Sequence, residues 1–185
     1  MSEFTVTPLI TPNPDAKTFI TDKTIIESNG YIEVTEETQN ISELPALCAE
    51  LICLPFVKRV LVMNNFVTVV KAANARWDNI LSEIQRVIET RLPDFSYSFC
   101  ANRTQLDDET SKIKNILDSY IGPAIAVDGG AIRYHSFDKE SGVLTVDVLG
   151  SCHGCPSLIN TLERGIEPMI KDMFPQVNSV IRLKK

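Results

Sequence analysis

Val143-Leu144-Thr145-Val146-Asp147-Val148-Leu149-Gly150-Ser151-Cys152-His153-Gly154-Cys155-Pro156-Ser157 is the stretch on which the reading of this chain turns. Leu144, Val146 and Val148 alternate onto one face, the period of a half-buried strand. Beyond the cysteines, Leu158, Ile159, Leu162, Ile166, Met169, Ile170 and Met173 recur at helical spacing, and Pro175 ends the pattern. A strand therefore runs into a glycine-rich turn carrying a CxxC pair, and the turn runs into a helix. Pro156 suits a first helical turn, where its missing N–H is not needed. Cys155 is then expected at or beside the N-cap, where unpaired N–H groups and the helix dipole favour thiolate.

Upstream of this stretch, Ile113, Ile116, Leu117, Tyr120 and Ile121 predict a helix, with Thr110 or Ser111 as its N-cap and Gly122-Pro123 as its stop. Gly129-Gly130 leads into a strand over Ala131 to Phe137, and the turn Asp138 to Gly142 joins it to the strand before the CxxC. Ser179 to Leu183 reads as a last strand. The order over residues 111–185 is thus α-β-β-α-β.

The first half reads separately. Phe4 to Ile10, Phe19-Ile20 and Tyr31 to Val34 predict short strands, with the turn Thr11-Pro12-Asn13-Pro14 after the first. Leu44 to Leu54 is apolar at helical spacing and stops at Pro55. Val57 to Met63 and Phe66 to Lys71 flank Asn64-Asn65, a hairpin signature. Trp77, Ile80, Leu81, Ile84, Val87 and Ile88 form one helix face, with Pro93 just beyond. The fold class is α+β in two small domains, 1–92 and 111–185, with 93–110 as a linker that contains Cys100.

Composition bounds the function. The chain has 185 residues, enough for two small domains, and its 44% apolar and 23% charged residues are those of a globular protein rather than a disordered one. The net charge of −6 argues against a protein that grips nucleic-acid phosphates. No apolar run reaches the length of a membrane span. The first fifteen residues show neither a secretory nor a transit pattern, so the expected location is cytoplasmic.

Five cysteines, an odd number, do not suggest a disulfide framework. Cys48 and Cys53 lie in an apolar stretch and read as small buried hydrophobes. Cys152 and Cys155 are the pair with chemistry. Two thiols spaced by two residues on a glycine-rich turn suit a soft metal centre or a redox dithiol. A thioredoxin-like site places a βαβ unit before its CxxC, whereas a hairpin stands here. A tetrahedral zinc or an iron–sulfur cluster takes four protein ligands, and one chain offers two good sulfurs. His153 lies inside the pair, where it can hardly turn back onto the same ion, and His135 reads as a strand surface residue. Two chains related by a two-fold axis would supply two plus two, so a metal centre at a dimer interface is the chemical expectation.

Val127-Asp128-Gly129-Gly130, the hairpin, the Leu149 to Ser157 stretch, Thr161-Leu162 and Gly165-Ile166-Glu167 together resemble the C-terminal domain of NifU and the Nfu-type iron–sulfur proteins. The first half is similar to the N-terminal domain of Nfu proteins through Thr11-Pro12-Asn13-Pro14, Lys17, Phe19, Phe66-Val67-Thr68-Val69, Lys71 and Trp77. Pro55-Phe56-Val57 departs from the Gly-Val common before that hairpin. The resemblance implies a scaffold or carrier rather than an enzyme. It implies a [4Fe–4S] cluster bound by Cys152 and Cys155 of two chains, which form a homodimer on loading. It further implies delivery to apo iron–sulfur clients, contact with upstream assembly proteins, and a client-docking role for the N-terminal domain. A dithiol–disulfide oxidoreductase and a dimer-bridging zinc module are the alternatives.

Overall fold

The hairpin expected around Asn64-Asn65 forms the middle of a five-stranded antiparallel sheet, in a computed structural model that describes residues 5–27, 30–97 and 108–183. Its strands are β1 (Val6–Ile10), β2 (Ala16–Thr21), β3 (Ile32–Thr35), β4 (Val57–Val62) and β5 (Phe66–Lys71), in the spatial order β1-β2-β5-β4-β3. Helices α1 (Ala46–Ile52) and α2 (Trp77–Arg91) cover one face. Leu47, Leu51, Ile84 and Ile88 from the helices meet Phe19, Val60, Val67 and Val69 from the strands, all buried. Each such side chain contributes about 1.5–3 kcal/mol by leaving water.

The other face of this sheet is also covered. Thr18, Leu61, Phe66 and Thr68 alternate away from the helices and are buried as well. What covers them is the second domain.

That domain holds a three-stranded sheet of β6 (Gly130–Asp138), β7 (Val143–Gly150) and β8 (Ser179–Arg182), with β6 and β7 antiparallel and β7 and β8 parallel. One face carries two helical runs. The first is α3 (Asp108–Ile116), a wide π turn over Leu117–Ile121, and α4 (Gly122–Val127); the second is α5 (Leu158–Thr161), a π turn over Leu162–Ile166, and α6 (Glu167–Met173). Ile113, Leu117, Ile170 and Phe174 pack there against Leu144 and Val146. The opposite face brings Ala131 and Leu149 against Leu61 and Phe66, which joins the two domains.

Two sequence expectations are corrected here. The third helix starts at Asp108, ahead of Thr110 and Ser111. Gly122-Pro123 also does not stop it: the Gly122 N–H reaches back to the Leu117 carbonyl across the π turn, and Pro123 then stands in the first turn of α4. A proline there has no intrahelical bond to lose. The same device recurs where the Glu167 N–H bonds the Leu162 carbonyl and Pro168 follows. Residues 98–107, most of the expected linker with its Cys100, lie outside the described residues.

Gly165 sits in the second π turn with open space where a side chain would project. Gly165→Ala should therefore stabilise the chain by about 0.5–1 kcal/mol, through lower unfolded-state entropy. Thermal unfolding should show a rise of about 2 °C. A fall would mean that the wide turn requires glycine.

Candidate metal centre

Strand β7 ends at Gly150, whose φ of 62° belongs to the left-handed region. The reversal there starts a turn in which the His153 N–H bonds the Gly150 carbonyl and the Cys155 N–H bonds the Cys152 carbonyl. Gly154, at φ 78°, lets the chain turn a second time. The result places both thiols, half-buried, in one apolar pocket with Ile125, Val148, Leu162 and Ile166. Both sulfur side chains pack against the C-terminal core.

The neighbouring Asp128-Gly129-Gly130 segment is the other wall of the turn. The Ser151 N–H bonds the Gly129 carbonyl, and the Ser151 hydroxyl bonds the Asp128 carbonyl. Gly130 leaves the room that Cys152 uses: a Cβ there would lie 2.3 Å from Cys152 Sγ.

The expected placement of Cys155 at the helix N-cap does not hold. The helix begins at Leu158, so Cys155 and Pro156 precede it by a turn rather than capping it. Burial pushes the Cys152 thiol up to about 11, and the nearby Cys155 and Asp128 act in the same direction, against a hydrogen bond with Ser151. Desolvation is the largest of these effects, because the Cys152 thiol faces apolar side chains.

The remaining cysteines differ. Cys48 is fully buried in α1, and burial pushes its thiol up to about 12. Cys53, expected to be buried, is exposed, because the α1 helix ends at Ile52 and turns it outward. His135 is exposed on β6, as its pattern suggested. Among the described residues, no group of three or more His, Cys, Asp or Glu side chains is placed to hold a metal. The donor set beside the turn is thus two thiols, a chemistry that suits a soft metal centre.

Sequence reasoning singled out both cysteines but missed what surrounds their turn. Asn13, Glu33 and Thr68, all from the N-terminal domain, make hydrogen bonds to backbone groups at Ser151, Gly150 and Gly129. The Thr11-Pro12-Asn13-Pro14 run was legible as a turn and as part of the resemblance, but not as a contact with the cysteine turn. Thr18 and Thr68, polar residues at alternate positions of apolar strands, were the available sign that the second sheet face is occupied.

Residues 113–181 match the family model described as NifU-like domain, and residues 7–94 match that of the scaffold protein Nfu/NifU N terminal. Over 92% of its length the chain is 32% identical to NifU-like protein 4, mitochondrial, of Arabidopsis thaliana, of which it covers 62%. It is also 32% identical to the NFU1 iron-sulfur cluster scaffold homolog, mitochondrial, of Drosophila grimshawi, with 92% of this chain and 58% of that protein aligned. A NifU-like protein of Schizosaccharomyces pombe is 27% identical over 94% of this chain and 70% of its own length. The chain thus spans about three fifths of the length of the Arabidopsis and Drosophila relatives.

Those names overturn the cytoplasmic expectation, since they point to the mitochondrion. That expectation rested on the first fifteen residues alone, and the relatives it meets here are longer proteins. With its two halves matched by the two domain models and relatives aligned along nearly all of it, this chain belongs to the Nfu/NifU-like family of iron–sulfur cluster scaffolds.

Proposed function

We propose that this protein holds a [4Fe–4S] cluster between Cys152 and Cys155 of one chain and the same pair of a second, and passes it to apo-proteins that need one. The observation that supports this most is the pairing of two half-buried thiols on one glycine-built turn, with no third or fourth ligand beside them among the described residues. The family's scaffold role is non-catalytic, and the cluster is cargo rather than a resident cofactor. Two ligands per chain leave the cargo at a surface where it can depart. Loading displaces the Cys152 proton, because the thiolate is the ligand. The units that divide this work are residues 1–92 and 111–185, joined by 93–110. The location that follows from the relatives' names is the mitochondrion.

Anaerobic reconstitution with iron and sulfide tests the proposal. About four irons and four sulfides per dimer are expected, with a visible absorption band and a dimer mass that appears on loading. A colourless monomer with two free thiols would favour dithiol redox chemistry, and a colourless protein holding zinc would make the site structural.

A further inference from the structure

Asn13 stands in the N-terminal domain, 138 positions before the residue it touches in the other domain. It is 4% exposed. Its Nδ2 donates to the Ser151 carbonyl at 2.9 Å and to the His153 carbonyl at 3.4 Å, so both residues beside Cys152 are held by one amide. Its Oδ1 accepts the Asp15 N–H at 3.0 Å, which fixes the amide's orientation: the carbonyl faces its own turn and the NH₂ faces the cysteine turn.

The turn that carries Asn13 is itself braced from several sides. The Thr11 hydroxyl donates to the Asn13 carbonyl, Trp77 Nε1 donates to the Pro14 carbonyl at 3.0 Å, and Lys71 Nζ pairs with Asp15. Thr11, Asn13, Pro14, Lys71 and Trp77, among the residues on which the N-terminal resemblance rests, thus converge on presenting one amide to the other domain.

Two further contacts end on the same small target. The Thr68 hydroxyl donates to the Gly129 carbonyl at 2.8 Å, with Thr18 bonded behind it at 3.0 Å. Glu33, anchored by Arg59 at 2.9 Å, accepts the Gly150 N–H at 2.8 Å. Gly129, Gly150 and Ser151 are the backbone that shapes the cysteine turn. Polar contacts from one domain thus concentrate on a handful of backbone groups of the other.

We infer that the N-terminal domain sets the conformation of the cysteine turn of its own chain, with Asn13 as the principal positioning residue and Thr68 as its second support. The inference rests on the cysteine turn being the cluster site. It makes domain docking and cluster retention reciprocally linked: what loosens one loosens the other.

Asn13→Asp is the discriminating variant. An aspartate keeps the acceptor for the Asp15 N–H, and so the braced turn, but sets a carboxylate against two carbonyl oxygens. In the full cluster-free chain, alkylation of Cys152 by iodoacetamide, followed by peptide mass mapping, should run about tenfold faster than in the native chain, a loss on the scale of one hydrogen bond. In the reconstituted chain, the visible circular dichroism of the cluster should change and iron loss to a chelator should be about tenfold faster. Thr68→Val should act in the same direction and Thr68→Ser should restore native behaviour, which separates positioning from a general loss of folding. Equal alkylation rates in the native and Asn13→Asp chains, or loaded chains with superimposable dichroism and equal iron loss, would overturn the inference. Should the native chain take up no cluster at all, the scaffold proposal fails instead, and the alkylation rates alone decide the role of Asn13.

Discussion

Alanine in place of Cys152 or of Cys155 is expected to abolish cluster binding, with iron and acid-labile sulfide falling below about a tenth of the native content after reconstitution. A cluster shared by two chains takes two ligands from each, so one lost thiol per chain removes half of the set. No other group of metal-ligating side chains gathers at the turn among the described residues to replace it. The effect should be chemical rather than structural. Both thiols are half-buried at the edge of the C-terminal core, so truncation costs about 1 kcal/mol of stability. Cys48→Ala and Cys53→Ala provide the contrast. Cys48 is sealed inside the N-terminal core and Cys53 is exposed at the end of α1, in the domain that does not carry the turn. Both variants should load as the native chain does. Stoichiometric cluster retained by the Cys155 variant would remove Cys155 from the ligand set.

Gly130→Ala should be nearly as damaging without touching a ligand. Its backbone is not in the left-handed region, so alanine brings no conformational strain there; the penalty is steric. The new Cβ would lie 2.3 Å from Cys152 Sγ and 3.2 Å from a methyl of Ile125. Ile125 lies in the packed face of α4, so the sulfur must move. Overpacking of this kind costs about 1–3 kcal/mol. Cluster content should drop several-fold, because a displaced Sγ no longer presents the pair that the other chain must match. Iron analysis and thermal unfolding run beside Gly165→Ala separate the two effects, since that alanine enters open space. Native iron content with an unchanged visible spectrum in Gly130→Ala would show that the turn tolerates a different thiol position.

Much of the architecture was legible because it rests on local patterns. The face Ile80, Ile84, Val87 and Ile88 repeats at the helical period, and these residues are buried in α2. Asn64-Asn65 between two apolar strands could only be a hairpin, and it joins β4 to β5. The failures were also physical. Gly122-Pro123 reads as a stop only if the preceding turn is α-helical; a π turn supplies the missing phase and the chain continues. Placing Cys155 at the N-cap required a helix start two residues earlier than the one that forms. At Cys152 the apolar pocket desolvates the thiol and raises it, an effect that no neighbour in the sequence announces.

By itself, the sequence determined the two α+β units and the strand–CxxC–helix order, because periodicity, turn chemistry and motif spacing are properties of neighbouring residues. Only the tertiary structure decided that the N-terminal sheet is buried on both faces and that Asn13, Glu33 and Thr68 close on the cysteine turn. Those contacts join groups 61 to 138 positions apart through backbone carbonyls and N–H groups. Every residue type carries such groups, so no side-chain pattern at the turn could announce them, and folding alone brings them within hydrogen-bond reach.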